Sequence, residues 1–262
     1  PKLYDHEAAY IFQQSDNRIV FAIPYETDFT LIGTTESNFS GDASAAEIAA
    51  DEIDYLLGVV NQYFIASISP AEIVWSFAGV RPLIGDETTK HSKLSRDYEL
   101  NWTGAGSKSP MLSIYGGKIT TYRKLTEQAM RLISNEIGGL STAWSSKAPL
   151  PGGDLGGLSF ERFNTVASEK YSWMPQELCQ RYSGTYGANM DMLIGDASSL
   201  DDLGQHFGSG LYEKEVVYLM QCEWAQTVED ILWRRTKLGL RFSQNEAETL
   251  SHWLRSAEMA TT

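Results

Sequence analysis

Arg81 is followed by Pro82 and lies two residues after Gly79, in the run Trp75-Ser-Phe-Ala-Gly-Val-Arg-Pro-Leu83. Proline has no amide donor and biases the preceding residue toward an extended backbone. Gly79 lets another group approach the main chain closely. An arginine held this way can fork onto a phosphate or carboxylate, or it can be a surface cation at a strand end. Arg96, in Ser95-Arg-Asp-Tyr98, opens a predicted strand. It is either a second cation around a shared anion or an ion-pair partner for Asp97 or another acidic neighbour. The third segment is Ser113-Ile-Tyr-Gly-Gly-Lys-Ile-Thr-Thr-Tyr-Arg123. A strand runs into Gly116-Gly117, Lys118 follows, and a helix starts at Thr120 or Thr121. Paired glycines turn the chain sharply and expose N–H groups, a helix N-terminus favours negative charge, and Lys118 adds a positive one. This suits an electron-rich ligand oxygen. It equally suits a plain strand–turn–helix connection with a threonine cap.

Other chemistries find less support. His6, His91, His206 and His252 form no close pair, and Cys179 and Cys222 have no metal-ligand spacing. Gly104-Ala-Gly-Ser-Lys-Ser109 lacks the spacing of a phosphate loop and reads as a hairpin loop; GxSxG and a complete GxGxxG are absent. Trp233, Arg234, Arg235 and Lys237 form the densest basic cluster, read either as a docking face or as a solvated helix side with Trp233 in the core. The formal net charge of -13 disfavours nucleic acid as a partner. No run of ~18 apolar residues could span a bilayer. The start, Pro1-Lys-Leu-Tyr-Asp-His6, is neither a signal nor a transit peptide, and without an initiator methionine the expectation is an excised piece.

Several elements must position these residues. Residues 9–14 and 18–23 are β-rich runs around Ser15-Asp-Asn17, and 29–35 reads as a third strand, so an antiparallel meander is expected. A helix follows, with capping-box spacing at Ser44 and Glu47 and an apolar stripe from Ile48 to Phe64. Strands are predicted at Ile73–Phe77, Asp97–Leu100 and Met111–Tyr115, and a helix over about 120–133, ending before Gly138-Gly139. The Pro/Gly-rich run 149–157 marks a domain edge. Beyond it, helices are expected at about 159–171, 175–187, 212–224, 228–237 and 243–257, the last with a Ser243/Glu246 capping box.

Six ordered segments together carry a resemblance. They are Tyr10-Ile-Phe with Arg18–Pro24, Ile32-Gly-Thr-Thr35, Ile73–Leu83, Ser95–Tyr98, Gly116–Leu125, and Arg181–Gly187 with Trp233–Gly239. In this order they resemble the FAD-dependent glycerol-3-phosphate dehydrogenases, over nearly the whole chain. The resemblance implies oxidation of sn-glycerol 3-phosphate to dihydroxyacetone phosphate, with a hydride passing to flavin N5 and the electrons going on to membrane quinone. It implies a peripheral membrane protein on the cytoplasmic face of the inner membrane, and a homodimer. Arg81 and Arg96 would clamp the substrate phosphate or orient its polar groups. Lys118 would lie beside the flavin, and Gly79, Gly116, Gly117, Ile119, Thr120 and Thr121 would surround it. The family's N-terminal GxGxxG unit, which holds the ADP part of FAD, has no counterpart here. The piece by itself is therefore expected to bind FAD weakly or not at all and to turn over no substrate. Two other readings stand beside this one: a non-catalytic binding or assembly module, and part of an oxygen-using glycerophosphate oxidase. The expected fold is α+β: a mainly antiparallel substrate or cap module over 1–144 with flanking helices, then an all-helical domain over 145–262.

Overall fold

The computed structural model describes residues 1–81, 83, 97–104, 106–139 and 142–261, with backbone alone at 258–261. The chain mixes helices with small antiparallel sheets and separates into two compact units, Pro1–Ala148 and Pro149–Thr262.

The first unit opens with the expected meander of β1 (Tyr10–Gln13), β2 (Ile19–Tyr25) and β3 (Phe29–Gly33), all antiparallel. The β1–β2 turn puts Asn17 at φ 67°, a region that asparagine tolerates. The Asp16 carboxylate accepts from the backbone N–H of Arg18 at 2.9 Å and from its Nε at 2.7 Å. Strand alternation sends Phe12, Val20 and Ala22 to one face, where they pack with Leu56, Val59 and Val60 of α1 (Ala50–Tyr63). The opposite face leaves Ile11, Ile19 and Ile23 exposed.

The helix begins later than Ser44 and Glu47 suggest. Asp42 instead caps a single 3-10 turn, Ala43–Ala45, by accepting from the Ser44 N–H at 2.9 Å. The α1 cap is then supplied by Glu52, whose carboxylate accepts from the Ala49 N–H at 3.0 Å. Acidic residues in the first turn suit the positive end of the helix dipole, and Asp51 and Glu52 both sit there.

Ile73–Phe77 is extended but belongs to no sheet among the described residues, contrary to the expected strand. β propensity sets a backbone shape, whereas a strand also needs a neighbour to supply ladder bonds, and no described strand does so. Val74 and Phe77 stay exposed, and the Trp75 and Phe77 rings stack at 4.9 Å. A second hairpin joins β4 (Tyr98–Thr103) to β5 (Met111–Gly116) in antiparallel register. A 3-10 turn, Ile119–Thr121, leads into α2 (Tyr122–Ile137), which ends with Gly138 at φ 68°.

The second unit holds the larger core. Its helices are α3 (Phe160–Lys170), α4 (Gln176–Tyr186), α5 (Met190–Ile194), α6 (Glu213–Cys222) and α7 (Gln244–Thr261). The unit is not all-helical: β6 (His206–Gly208) and β7 (Leu211–Tyr212) form a short hairpin before α6. Two strands this short give little alternation in sequence, so they read as loop. Residues Asp230–Arg235 form a π-helical turn where an α-helix over 228–237 is expected. The Ser243/Glu246 box forms as read: the Ser243 N–H and Oγ both donate to the Glu246 carboxylate at 2.8 Å.

Charge is buried in this core. Glu215 is fully enclosed and receives the Arg181 guanidinium through Nη1 and Nη2, each at 2.6 Å. The Tyr186 hydroxyl donates to the same carboxylate at 2.5 Å, and Arg181 Nη2 also donates to the Gly210 carbonyl at 2.8 Å. Burial alone would lower the Arg181 pKa, but the Glu215 charge outweighs it and the net shift is upward. Burial and then the same carboxylate push the Tyr186 hydroxyl upward.

Candidate functional site

Arg81 lies on the extended stretch after Ile73 and is about half exposed, with its side chain at 49%. Its Nη1 pairs with the Glu36 carboxylate, 45 residues earlier in the chain. Gly79, two residues before, has open space where a side chain would stand. Pro82 and Arg96 lie outside the described residues.

Lys118 follows two glycines in left-handed backbone, Gly116 at φ 66° and Gly117 at φ 105°. That conformation lets β5 end abruptly and turn into the helix. A Cβ on Gly117 would press on Leu125 and Tyr98, at 3.3 and 3.4 Å, so the turn is packed on its inner side. Lys118 Nζ reaches Asp97 at 3.6 Å, the carboxylate weighed above as a partner for Arg96. Ile119 is largely exposed, and the Thr121 hydroxyl donates back to the Lys118 carbonyl at 2.9 Å. This threonine thus ties the turn rather than capping the first N–H groups of α2.

Each of the two described cations therefore has a carboxylate from a different element beside it. Glu36 is the residue that sequence reasoning passed over, since no spacing rule links positions so far apart. It stands between Thr35 and Ser37. The Thr35 hydroxyl and then the Ala49 N–H hold the Glu52 carboxyl below the usual carboxylate range, with Ser37 contributing.

The basic cluster at 234–237 is spent locally. Arg234 pairs with Asp230 at 2.7 Å, the Arg235 Nε donates to the Glu223 carbonyl at 2.9 Å, and Trp233 packs against the core. No group of three or more His, Cys, Asp or Glu side chains could hold a metal ion among the described residues.

Residues 2–123 match the family model described as FAD dependent oxidoreductase, and residues 144–257 match the C-terminal domain of alpha-glycerophosphate oxidase. The chain is 46% identical over 256 residues to a glycerol-3-phosphate dehydrogenase of Pseudomonas aeruginosa, covering 98% of this chain and 50% of that protein. It is 39% identical over 254 residues to the aerobic glycerol-3-phosphate dehydrogenase of Escherichia coli, covering 97% and 50%. A D-erythritol 1-phosphate dehydrogenase of Brucella abortus is 39% identical over 261 residues, covering 99% and 51%. The X-ray structure of a glycerol-3-phosphate dehydrogenase from Bacillus halodurans complexed with FAD superposes with a TM-score of 0.71 at 24% identity, over 95% of this chain and 52% of that one. At that identity the superposition speaks for the fold. The chain spans about half the length of the curated relatives it matches.

Proposed function

We propose that this chain belongs to the glycerol-3-phosphate dehydrogenase family of FAD dependent oxidoreductases and forms part of an enzyme oxidising sn-glycerol 3-phosphate to dihydroxyacetone phosphate. The observation that carries this reading is the collinear match of 98% of the chain, at 46% identity, to a protein of that name. The remaining half of such a polypeptide supplies the ADP-binding unit, and this chain alone binds FAD weakly or not at all and turns over no substrate.

The described residues fit the flavin in kind. Gly116 and Gly117 turn in left-handed backbone directly before Lys118, whose ammonium lies 3.6 Å from Asp97. Gly79, Gly116, Gly117, Lys118, Ile119, Thr120 and Thr121 would hold the group. FAD, when bound, supplies the two-electron acceptor. Arg81 and Arg96 bind the substrate phosphate, for which the planar, always charged guanidinium is suited. Lys118 offers fixed positive charge that needs no rearrangement during reaction. Residues 1–144 act as the substrate and cap module and 145–262 as the helical C-terminal domain. The enzyme is a homodimer that passes electrons to quinone while attached peripherally to the cytoplasmic face of the inner membrane. No described helix is long and apolar enough to cross a membrane.

The decisive assay is a visible flavin spectrum together with dye reduction by glycerol 3-phosphate. The whole-length protein should be yellow and active, and residues 1–262 alone colourless and inactive. A colourless, inactive whole-length protein would overturn the assignment, and a yellow, active short one would overturn the division of labour. The description attached to residues 144–257 favours a second reading, in which oxygen is the acceptor. Peroxide formed in step with substrate would select it.

A further inference from the structure

We infer that Glu36 is a positioning residue that fixes which edge of the Arg81 guanidinium is offered to the substrate phosphate, an inference that rests on the role given above to Arg81. A half-exposed arginine has many rotamers, and a bidentate grip on phosphate requires one of them. Glu36 engages Nη1, and among the described residues no hydrogen bond reaches Nε or Nη2. The carboxylate reaches Arg81 across 45 residues of sequence, so the pair is set by the fold rather than by a local turn. Two elements away, the Glu52 carboxylate accepts the Ala49 N–H at 3.0 Å at the start of α1. The Arg81–Glu36 pair ties the loop after β3 to the Gly79–Arg81 stretch. The ion pair adds little to folding, because water screens exposed pairs and ordering two long side chains opposes them. Its value lies in orientation, where small misplacements cost large factors in rate.

The test uses the whole-length, FAD-loaded enzyme and the variants Glu36→Ala, Glu36→Gln, Arg81→Ala and the Glu36→Ala/Arg81→Ala double. Glu36→Ala should raise KM for glycerol 3-phosphate on the order of tenfold, with the flavin spectrum and melting temperature unchanged. Glu36→Gln keeps an acceptor and should restore KM to within about twofold. The double variant should be no worse than Arg81→Ala, since Glu36 acts through that side chain. A normal or lowered KM in Glu36→Ala, beside an impaired Arg81→Ala, overturns the positioning role and leaves the assignment of Arg81 standing. Equal impairment by Glu36→Gln and Glu36→Ala, or additive losses in the double, also overturns it. An Arg81→Ala enzyme with unaltered KM removes both.

Discussion

Arg181 and Arg81 are both paired with glutamates, and burial makes the two pairs behave differently. Glu215 is fully enclosed, so Arg181→Ala strands a carboxylate in the core and should cost about 3–5 kcal/mol. Urea denaturation of residues 149–262 reads this directly. Arg81→Ala exposes a glutamate that is already half in water, and its stability should change by no more than ~0.5 kcal/mol. At this scale the sequence was half legible. The sharp turn at Gly116 and Gly117 could be read because glycine pairs before a helix are locally unusual. Glu36 could not, because its partner is chosen by tertiary folding.

Elements were legible where their cause is local. The meander, the β4–β5 hairpin and the long helices follow from alternation, helical periodicity and turn chemistry within a few residues. Ile73–Phe77 did not follow, because a strand is defined by a partner. The turn at Asp230–Arg235 shows how much a local device can carry. The Asp230 carboxylate accepts from the Gln226 and Thr227 N–H groups at 3.0 Å, while Thr227 Oγ1 accepts from the Asp230 N–H at 3.1 Å. Those bonds, the Gln226 N–H first, hold the Asp230 pKa at about 2, below its ordinary 3.8. The cap therefore stabilises the fold fully above pH 3.8 and loses that contribution as pH falls through about 2. Asp230→Ala should cost about 1 kcal/mol at neutral pH and almost nothing below pH ~2, by urea midpoints at the two pH values. Downstream, a methyl on Gly239 would overlap the Trp233 indole. Gly239→Ala should destabilise by about 1–3 kcal/mol, seen as a lowered melting temperature.

The two units differ most in how much they enclose. The core of Pro149–Thr262 draws on every one of its α-helices and both its strands, from Ala167 to Leu254. The meander core of Pro1–Ala148 rests on Phe12, Val20, Ala22, Leu56, Val59 and Val60, while Ile11, Phe77, Ile114, Ile119 and Ile137 stay exposed. Residues 149–262 produced alone should melt cooperatively, whereas 1–148 alone should show a weak, broad transition and bind a hydrophobic dye. Calorimetry and dye fluorescence on the two pieces check this. The Pro/Gly run at 149–157 lies at the start of the second unit, and its composition was visible in sequence because linkers announce themselves by residue type. The extent of each core was not visible, since apolar residues look alike whether covered or bare.

The enclosed Arg181–Glu215 pair also constrains how this part of the protein can change over time. Exchanging either member alone leaves an orphan charge and a chain that folds poorly, even though two apolar replacements together could fit the same space. The route from one solution to the other crosses a deep valley of unfit intermediates. The two codons are therefore expected to drift in concert or stay put, whatever happens to the positions around them.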